Sequence, residues 1–367
     1  MSNRPAKLVD ILTMKDVYTK LKFLRFREQL DAIESGNIAP PVHVRIKPMN
    51  PCDHDCWYCA YHVENLQLGS LMEYKDRLSR EKMMEIIEDL TEMGVKAVTF
   101  SGGGEPLIYP HIAEAANKLG ESGIKLATLT NGSHLHEDIA EAFARYGTWI
   151  RISIDGWNAE SYAKIRNVKL TEFDLVVNNM RNFANLNSSC LLGINYVIDN
   201  ENFSHIFEFS KLMKDVGVNH LKVMGVIVSN DGTQSNEYHD KIKEGVKEQI
   251  AQAKGLEGEN FTIIDHYHEF PERFDKEYDT CLSMQFLTII GADSKVYSCH
   301  DKAYTELGLL GSIENRRFKD FWFSGENRKR LQEINPSIHC QHHCAEHSRN
   351  LLLHEYMSVD QNHLEFV

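Results

Sequence analysis

The sequence predicts an α/β fold organised around a parallel sheet, and three observations carry that expectation. Short apolar runs alternate with amphipathic segments from about residue 42 to 228. Several amphipathic segments close on glycine, which a helix C-cap prefers. Residues able to carry chemistry follow the ends of the apolar runs, and α/β proteins gather their function at that edge of the sheet.

In chain order the expected strands are VHVRIKP, KAVTFSG, KLATLTNG, WIRISIDG, LLGINYVI and HLKVMGVIV. The helical patterns between them are REKMMEIIEDLTEMG, PHIAEAANKLGESG, EDIAEAFARYG, TEFDLVVNNMRNFANL and FSHIFEFSKLMKDVG. Six strands are too few for a complete eight-fold barrel, so both an open doubly wound sheet and an incomplete barrel fit. A polar helical stretch, NEYHDKIKEGVKEQIAQAKGLEGEN, follows the sixth strand. Then the pattern changes: MQFLTIIGADSKVYSC reads as a hairpin with its turn at Gly291 to Ser294. A domain boundary is expected between residues 240 and 270.

The chain has 367 residues, 42% of them hydrophobic, enough for a large core plus a smaller appendage without disulfide staples. With no apolar run of about 18 residues and no signal-like segment, a soluble cytoplasmic protein is expected, with no membrane partner. The net charge is −13 and the basic residues are scattered, which argues against a nucleic-acid partner. Eight cysteines in such a chain read as metal ligands or reactive groups.

Three of them, Cys52, Cys56 and Cys59, fall in PCDHDCWYCA after the first strand. A structural zinc site wants four ligands, so this loop would have to recruit His54 or a distant residue. A [4Fe–4S] cluster on three cysteines instead keeps one iron open for an exchangeable ligand. The companions of the triplet are SGGGEP after the second strand, TNG after the third and SIDG after the fourth. Glycines 102 to 104 suit a strand-to-helix turn, or a backbone that must come close to a ligand.

Cys52-x3-Cys56-x2-Cys59, with Tyr58 before the last cysteine, resembles the signature loop of the radical S-adenosylmethionine (radical SAM) family, and SGGGEP resembles that family's glycine–glycine–glutamate motif. The resemblance covers residues 42 to about 228. It implies a partial (β/α)6 TIM-like barrel and a cluster whose open iron chelates the amino and carboxylate groups of S-adenosylmethionine. Reductive cleavage then yields methionine and a 5′-deoxyadenosyl radical that removes a substrate hydrogen. It further implies that Gly103, Gly104 and Glu105 receive the methionine amino group, that Ser153 contacts the cofactor and that Arg166 meets its carboxylate. Tyr58 and Thr130 are further candidate contacts.

Of the other five cysteines, Cys190 precedes an apolar strand and reads as a small core residue. Cys281, Cys299, Cys340 and Cys344 make a set of four around the expected hairpin and the helix-like FKDFWFSGENRKRLQEI. Four thiolates form a closed metal site. The set resembles the twitch domain, a shortened SPASM domain holding one auxiliary [4Fe–4S] cluster, although Ser294 stands where glycine is usual. Four cysteines limit the chain to one auxiliary cluster. The histidines of HCQHHCAEH, His339, His342, His343 and His347, leave zinc open as an alternative, or serve as donors around a cluster.

The expected cofactors are therefore two [4Fe–4S] clusters and S-adenosylmethionine, with a flavodoxin or ferredoxin as electron donor. The expected organisation is an N-terminal helical segment (1–41), a radical SAM partial barrel (42–240), a linker or barrel-closing region (241–270) and a twitch/SPASM-like domain (271–367). A closed second cluster suits electron transfer, so the resemblance implies an oxidoreductase that turns C–OH into a ketone on a small polar substrate, sugar or aminocyclitol in type. The cluster arrangement is similar to that of the twitch-type aminocyclitol dehydrogenases. A radical SAM peptide maturase or epimerase is the alternative within the family; the four-cysteine set and the short stretch before the first strand weigh against a ribosomal-peptide maturase without excluding one. The cyclase of molybdenum-cofactor synthesis has three auxiliary cysteines and a terminal double glycine, where this chain offers four cysteines and HLEFV. A metal-binding structural or sensor protein is the reading from another class, and it leaves GGGEP without a purpose. No general base is assigned; Asp265, His266, His268, His300 and Asp301 lie in segments expected to line or cap the barrel mouth.

Overall fold

The computed structural model of the protein describes residues 18–63, 66, 69–268 and 273–366. The first 17 positions of the expected N-terminal segment lie outside them. The remainder of that segment forms a 3-10 turn, Lys20–Arg25, and a helix, Arg27–Glu34.

Ten strands make one sheet: β1 His43–Ile46, β2 Ala97–Phe100, β3 Lys125–Thr130, β4 Gly147–Ser153, β5 Leu191–Ile198, β6 His220–Gly225, β7 Thr262–Asp265, β8 Leu287–Ile290, β9 Lys295–Tyr297 and β10 Leu309–Ser312. Their order is β10-β9-β8-β1-β2-β3-β4-β5-β6-β7. From β8 through β1 to β7 every neighbour is parallel, and β9 and β10 run antiparallel beyond β8. This is the α/β fold with a parallel sheet that a partial TIM barrel requires, and all six expected strands are present.

Two parallel strands exceed the expectation. β7 sits in FTIIDHYH, where four residues between polar stretches gave too little periodicity to read as a strand. β8 is the first strand of the expected hairpin, yet it also pairs with β1 through Val44↔Thr288 and Arg45↔Ile289. The hairpin is therefore continuous with the main sheet. At its turn, Ser294 takes φ +56, a left-handed conformation that explains why glycine suits the position.

Alternation along the strands divides the sheet into two faces. Val44, Ile46, Val98, Phe100, Ile150, Ile152, Leu221 and Val223 are fully buried on the outer face, in one core with the apolar side of the helix Arg80–Glu92. The intervening positions, His43, Arg45, Trp149, Arg151, Asn195, His220 and Lys222, occupy the inner face. Gly193 makes room there: a Cβ on it would meet the His220 ring at 2.2 Å.

FKDFWFSGENRKRLQEI is not one helix but two, Phe318–Trp322 and Gly325–Glu333. Ser324 breaks it by capping the second, accepting from Asn327 N at 3.2 Å. The polar stretch after β6 likewise divides, into Gly232–Asp240 and Lys243–Lys254. Cys190 is buried in the core, as its apolar setting indicates. Among the described residues no helix is long and apolar enough to cross a membrane.

Candidate active site and second cysteine site

β1 delivers the chain through Lys47 and Asn50 to the loop carrying Cys52, Cys56 and Cys59. This loop has no ladder of its own, so its amides take the carbonyls that the helix Ala159–Arg166 leaves unpaired at its end. Asp55 N donates to Arg166 O (3.0 Å) and Trp57 N to Ile165 O (3.3 Å). Asn167, left-handed at φ +49, ends that helix and donates from Nδ2 to Asp55 Oδ2 at 3.2 Å. Tyr74 Oη donates to the carbonyl of Cys52. The three thiols are free and partly buried. Burial pushes Cys52 up to about 12 and Cys56 up to about 11, with Arg166 beside Cys56 opposing the rise. A metal bound here must therefore displace protons.

The glycine run packs against the stretch that precedes Cys52. A Cβ on Gly103 would meet Asn50 Oδ1 at 2.2 Å, and one on Gly104 would meet Pro51 O at 2.0 Å. The close approach that requires glycine is thus to protein backbone and to Asn50. Glu105, which follows, is 3% exposed and accepts from Thr130 Oγ1 (2.5 Å), Asn131 N (2.7 Å) and Leu107 N (2.9 Å). Burial raises its pKa to about 7 against those donors. Thr130 is thereby a partner of Glu105. Asn131 Nδ2 in turn donates to Asp53 Oδ1 of the cysteine loop at 2.7 Å, joining the two motifs.

Arg166 and Tyr58 meet on Asp155, which sequence reasoning missed. Asp155 Oδ2 accepts from Tyr58 Oη and from Arg166 Nη2, and its Oδ1 accepts from Val197 N at 2.8 Å. Both members of the ion pair are buried, Asp155 1% and Arg166 4% exposed. The signal was an acid in SIDG, at the end of β4 and eleven positions before Arg166. Ser153 precedes it, partly buried at the end of β4, level with Asn195 of β5.

The second set comes from four separate segments. Cys281 precedes a 3-10 turn, Leu282–Gln285; Cys299 follows β9; Cys340 caps the short helix Pro336–His339; and Cys344 lies ahead of the helix His347–Met357. All four line one cavity, together with Tyr278, Lys302 and His342. Asn350 Nδ2 donates to Cys281 Sγ at 3.4 Å. Lys276 Nζ donates to Arg273 O (2.6 Å) and also to the carbonyls of Phe274 and His342, knitting the walls together. Burial pushes Cys281 up to about 12, and holds Cys299 and Cys344 well above the ordinary thiol range, with repulsion among the set adding to it.

Four free thiols converging on one cavity without a disulfide form a donor set suited to an iron–sulfur cluster or another thiolate-bound metal. Among the described residues no three His, Cys, Asp or Glu side chains are gathered tightly enough for a single ion. Of the four histidines singled out in HCQHHCAEH, His342 lines the cavity. His339 Nδ1 accepts from Asn335 N (3.1 Å), and His347 Nδ1 bonds Tyr278 Oη (3.1 Å).

The two cysteine sites are tied together. Lys47, 1% exposed, donates to Tyr61 Oη (2.6 Å) just beyond Cys59 and to Gly102 O. Tyr304, shortly after Cys299, donates to Asn50 Oδ1 at 2.7 Å. Among the candidate bases, Asp265, the last residue of β7, pairs with His268 just after it (2.7 Å). His300 and Asp301 pair at 3.3 Å, and Asp301 Oδ2 accepts from Ala345 N (2.9 Å), so they also brace the Cys344 segment.

A parallel α/β barrel sheet with a three-cysteine loop after β1 and a glycine–glutamate turn after β2 defines a class before any comparison. Residues 46–213 match the family model of the Radical SAM superfamily. The chain is 33% identical over 129 residues to an S-adenosylmethionine-dependent nucleotide dehydratase of Flammeovirga pacifica, a span that is 35% of this chain and 43% of that protein. It is 28% identical over 176 residues to a probable GTP 3′,8-cyclase of Methanocaldococcus jannaschii, 47% of this chain and 55% of that one. The chain thus spans about half the length of these curated relatives. Among solved structures, Streptococcus suis SuiB bound to the precursor peptide SuiA superposes with TM-score 0.62 at 16% identity, covering 96% of this chain and 81% of SuiB. AdoMet-bound anSMEcpe superposes with TM-score 0.57 at 16% identity, covering 86% and 96%. These neighbours share the fold.

Proposed function

We propose that the protein is a radical SAM enzyme with a second, twitch-type iron–sulfur site, and that it oxidises a polar substrate at a C–OH carbon. The observation that carries this reading is the convergence of Cys281, Cys299, Cys340 and Cys344 on one cavity beside the sheet that bears the cysteine triplet. A [4Fe–4S] cluster on Cys52, Cys56 and Cys59 supplies, when it and S-adenosylmethionine are bound, reductive cleavage to a 5′-deoxyadenosyl radical. The residues around it position and exclude. Glu105 offers a carboxylate to the methionine amino group, and Gly103 and Gly104 hold the turn against Asn50 and Pro51. Tyr58, Arg166 and Asp155 lock the loop, with Ser153 and Thr130 at neighbouring strand ends. Oxidation needs an acceptor for one electron from the substrate radical, and the four-cysteine site is the candidate. Residues 271–367 form the auxiliary unit in this reading, and a flavodoxin or ferredoxin is the donor.

The relatives named dehydratase and cyclase favour a second reading, in which the radical step ends in a rearrangement without net oxidation. Metal content separates the cofactor premises. Iron, sulfide and zinc per chain are measured after anaerobic reconstitution, on wild type and on Cys52/Cys56/Cys59→Ala. About eight irons falling to about four is the expected result. About four falling to none, with zinc near one in both, removes the electron acceptor and with it the oxidation.

A further inference from the structure

We infer that the inner face of the barrel sheet binds a phosphorylated, multiply anionic small molecule, with Arg45 and Arg151 as its anchors and Lys222 beside them. This rests on the reading above that the barrel is the substrate chamber, and it names the substrate class.

The sheet register places the cations on one face of the sheet. Arg45 of β1 is level with Thr99, Ala127 and Trp149 on successive strands, and Arg151 of β4 is level with Gly193 and, through it, His220 of β6. Lys222 follows two positions later on the same face. The chain carries 53 acidic residues against 40 basic ones, so carboxylates were abundant. Even so, among the described residues neither Arg45 nor Arg151 has a carboxylate partner at ion-pair distance, and the Nε of each is buried without a hydrogen bond. The buried Arg166, by contrast, is paired with Asp155.

An unpaired guanidinium in a low-dielectric setting is costly, and two of them repel. Burial disfavours both charges; Glu346 and Asp301 offset this for Arg45, with Arg151 acting against them, and the Tyr18 hydroxyl offsets it for Arg151. Those two acids are committed elsewhere, Asp301 to His300 and Ala345 N, Glu346 to Arg349. Arg151 instead donates to the neutral Oη of Tyr18 at 2.7 Å, and the same oxygen bonds His220 Nε2 at 2.9 Å. The Tyr18 ring lies 5.6 Å from Lys222 Nζ. An oxygen acceptor thus already sits among the cations. Planar guanidinium forks match phosphate oxygens in pairs. A neutral polyol would leave both charges uncompensated, and an amine-bearing one would add to the repulsion.

The test uses the full chain, anaerobically reconstituted and supplied with S-adenosylmethionine. Equilibrium binding is measured for tripolyphosphate, the four ribonucleoside triphosphates, glucose 6-phosphate and myo-inositol. At least one phosphate-bearing probe is expected to bind, and Arg45→Met and Arg151→Met are each expected to weaken it at least tenfold. Arg151→Lys, which keeps the charge and loses the fork, is expected to weaken it less than Arg151→Met, and it carries the test should a methionine variant fail to fold. Tightest binding by a nucleotide or by glucose 6-phosphate tells the two phosphate sources apart. Inositol binding as tightly as the phosphates, no phosphate binding, or binding indifferent to the arginine variants overturns the inference. Wild-type 5′-deoxyadenosine release under dithionite separates the failures. Release without phosphate binding sinks this inference alone, and no release sinks the radical SAM reading beneath it.

Discussion

Replacing Asp155 by Asn tests how the cysteine loop is held. Asp155 accepts from Tyr58, Arg166 and Val197 N, and its carbonyl accepts from Asn202 Nδ2 at 3.0 Å. Asn keeps the size and the carbonyl but removes the charge, stranding the Arg166 guanidinium where 4% of the residue is exposed. Breaking a buried pair from one side costs about 3–5 kcal/mol, mostly for the charge left behind. Arg166→Met strands the carboxylate in the same way, although Tyr58 and Val197 still donate to it. In Asp155→Asn/Arg166→Met both charges are gone, and the double variant is expected to recover about 2 kcal/mol or more relative to the sum of the singles. Urea unfolding of the metal-free chain, followed by far-ultraviolet circular dichroism, measures the cycle. Additivity within about 0.5 kcal/mol would refute the claim that Tyr58, Asp155 and Arg166 act as one lock.

Two further outcomes are expected. Glu105 has a folded pKa of about 7, raised by burial, against an ordinary value of 4.5. The folded state therefore holds a proton that the unfolded state has released between those values, so stability falls as pH rises from about 4.5 to about 7 and is level above. The slope is worth about 3 kcal/mol at most. Glu105→Gln should abolish it, and urea midpoints at pH 5 and 7.5 that differ equally in variant and wild type would contradict the assignment. Gly104→Ala drives a Cβ against Pro51 O at 2.0 Å and Asn50 O at 2.2 Å, both backbone atoms, so a loss of about 3 kcal/mol or more is expected. Gly325→Ala, at a helix start with nothing within 4 Å, should stay within about 0.5 kcal/mol of wild type in the same assay.

What was legible in the sequence follows from how local each signal is. The cysteine triplet, the glycine run and Glu105 lie within short segments at strand ends, and their residue types announce them. The four later cysteines were also legible as a set, because thiols are scarce and the other cysteine, Cys190, sits in an apolar context. Asp155 was not, because its meaning depends on Arg166 and Tyr58 arriving from two other segments, and an acid after a strand is common in turns. Nor was the role of His342 as against its neighbours in HCQHHCAEH, since facing the cavity depends on the path of the loop rather than on composition.

The polar lumen, by contrast, was written in the strands and easy to misread. Strands buried on both faces of a parallel sheet usually read as continuous apolar runs. Here HVRIK, WIRIS and HLKVM alternate, with Arg45, Lys47, Arg151 and Lys222 at every second position. In an antiparallel sheet such alternation means one face in water. In a parallel sheet whose outer face is covered by helices it has another meaning: the inner face carries polar side chains, bonded in part to one another, in place of an apolar core. The identity of the inward charges then restricts the occupant. Arg45 of β1 and Arg151 of β4 lie on the inner face with no carboxylate at ion-pair distance among the described residues, and that pair of guanidinium groups is what favours an anionic occupant.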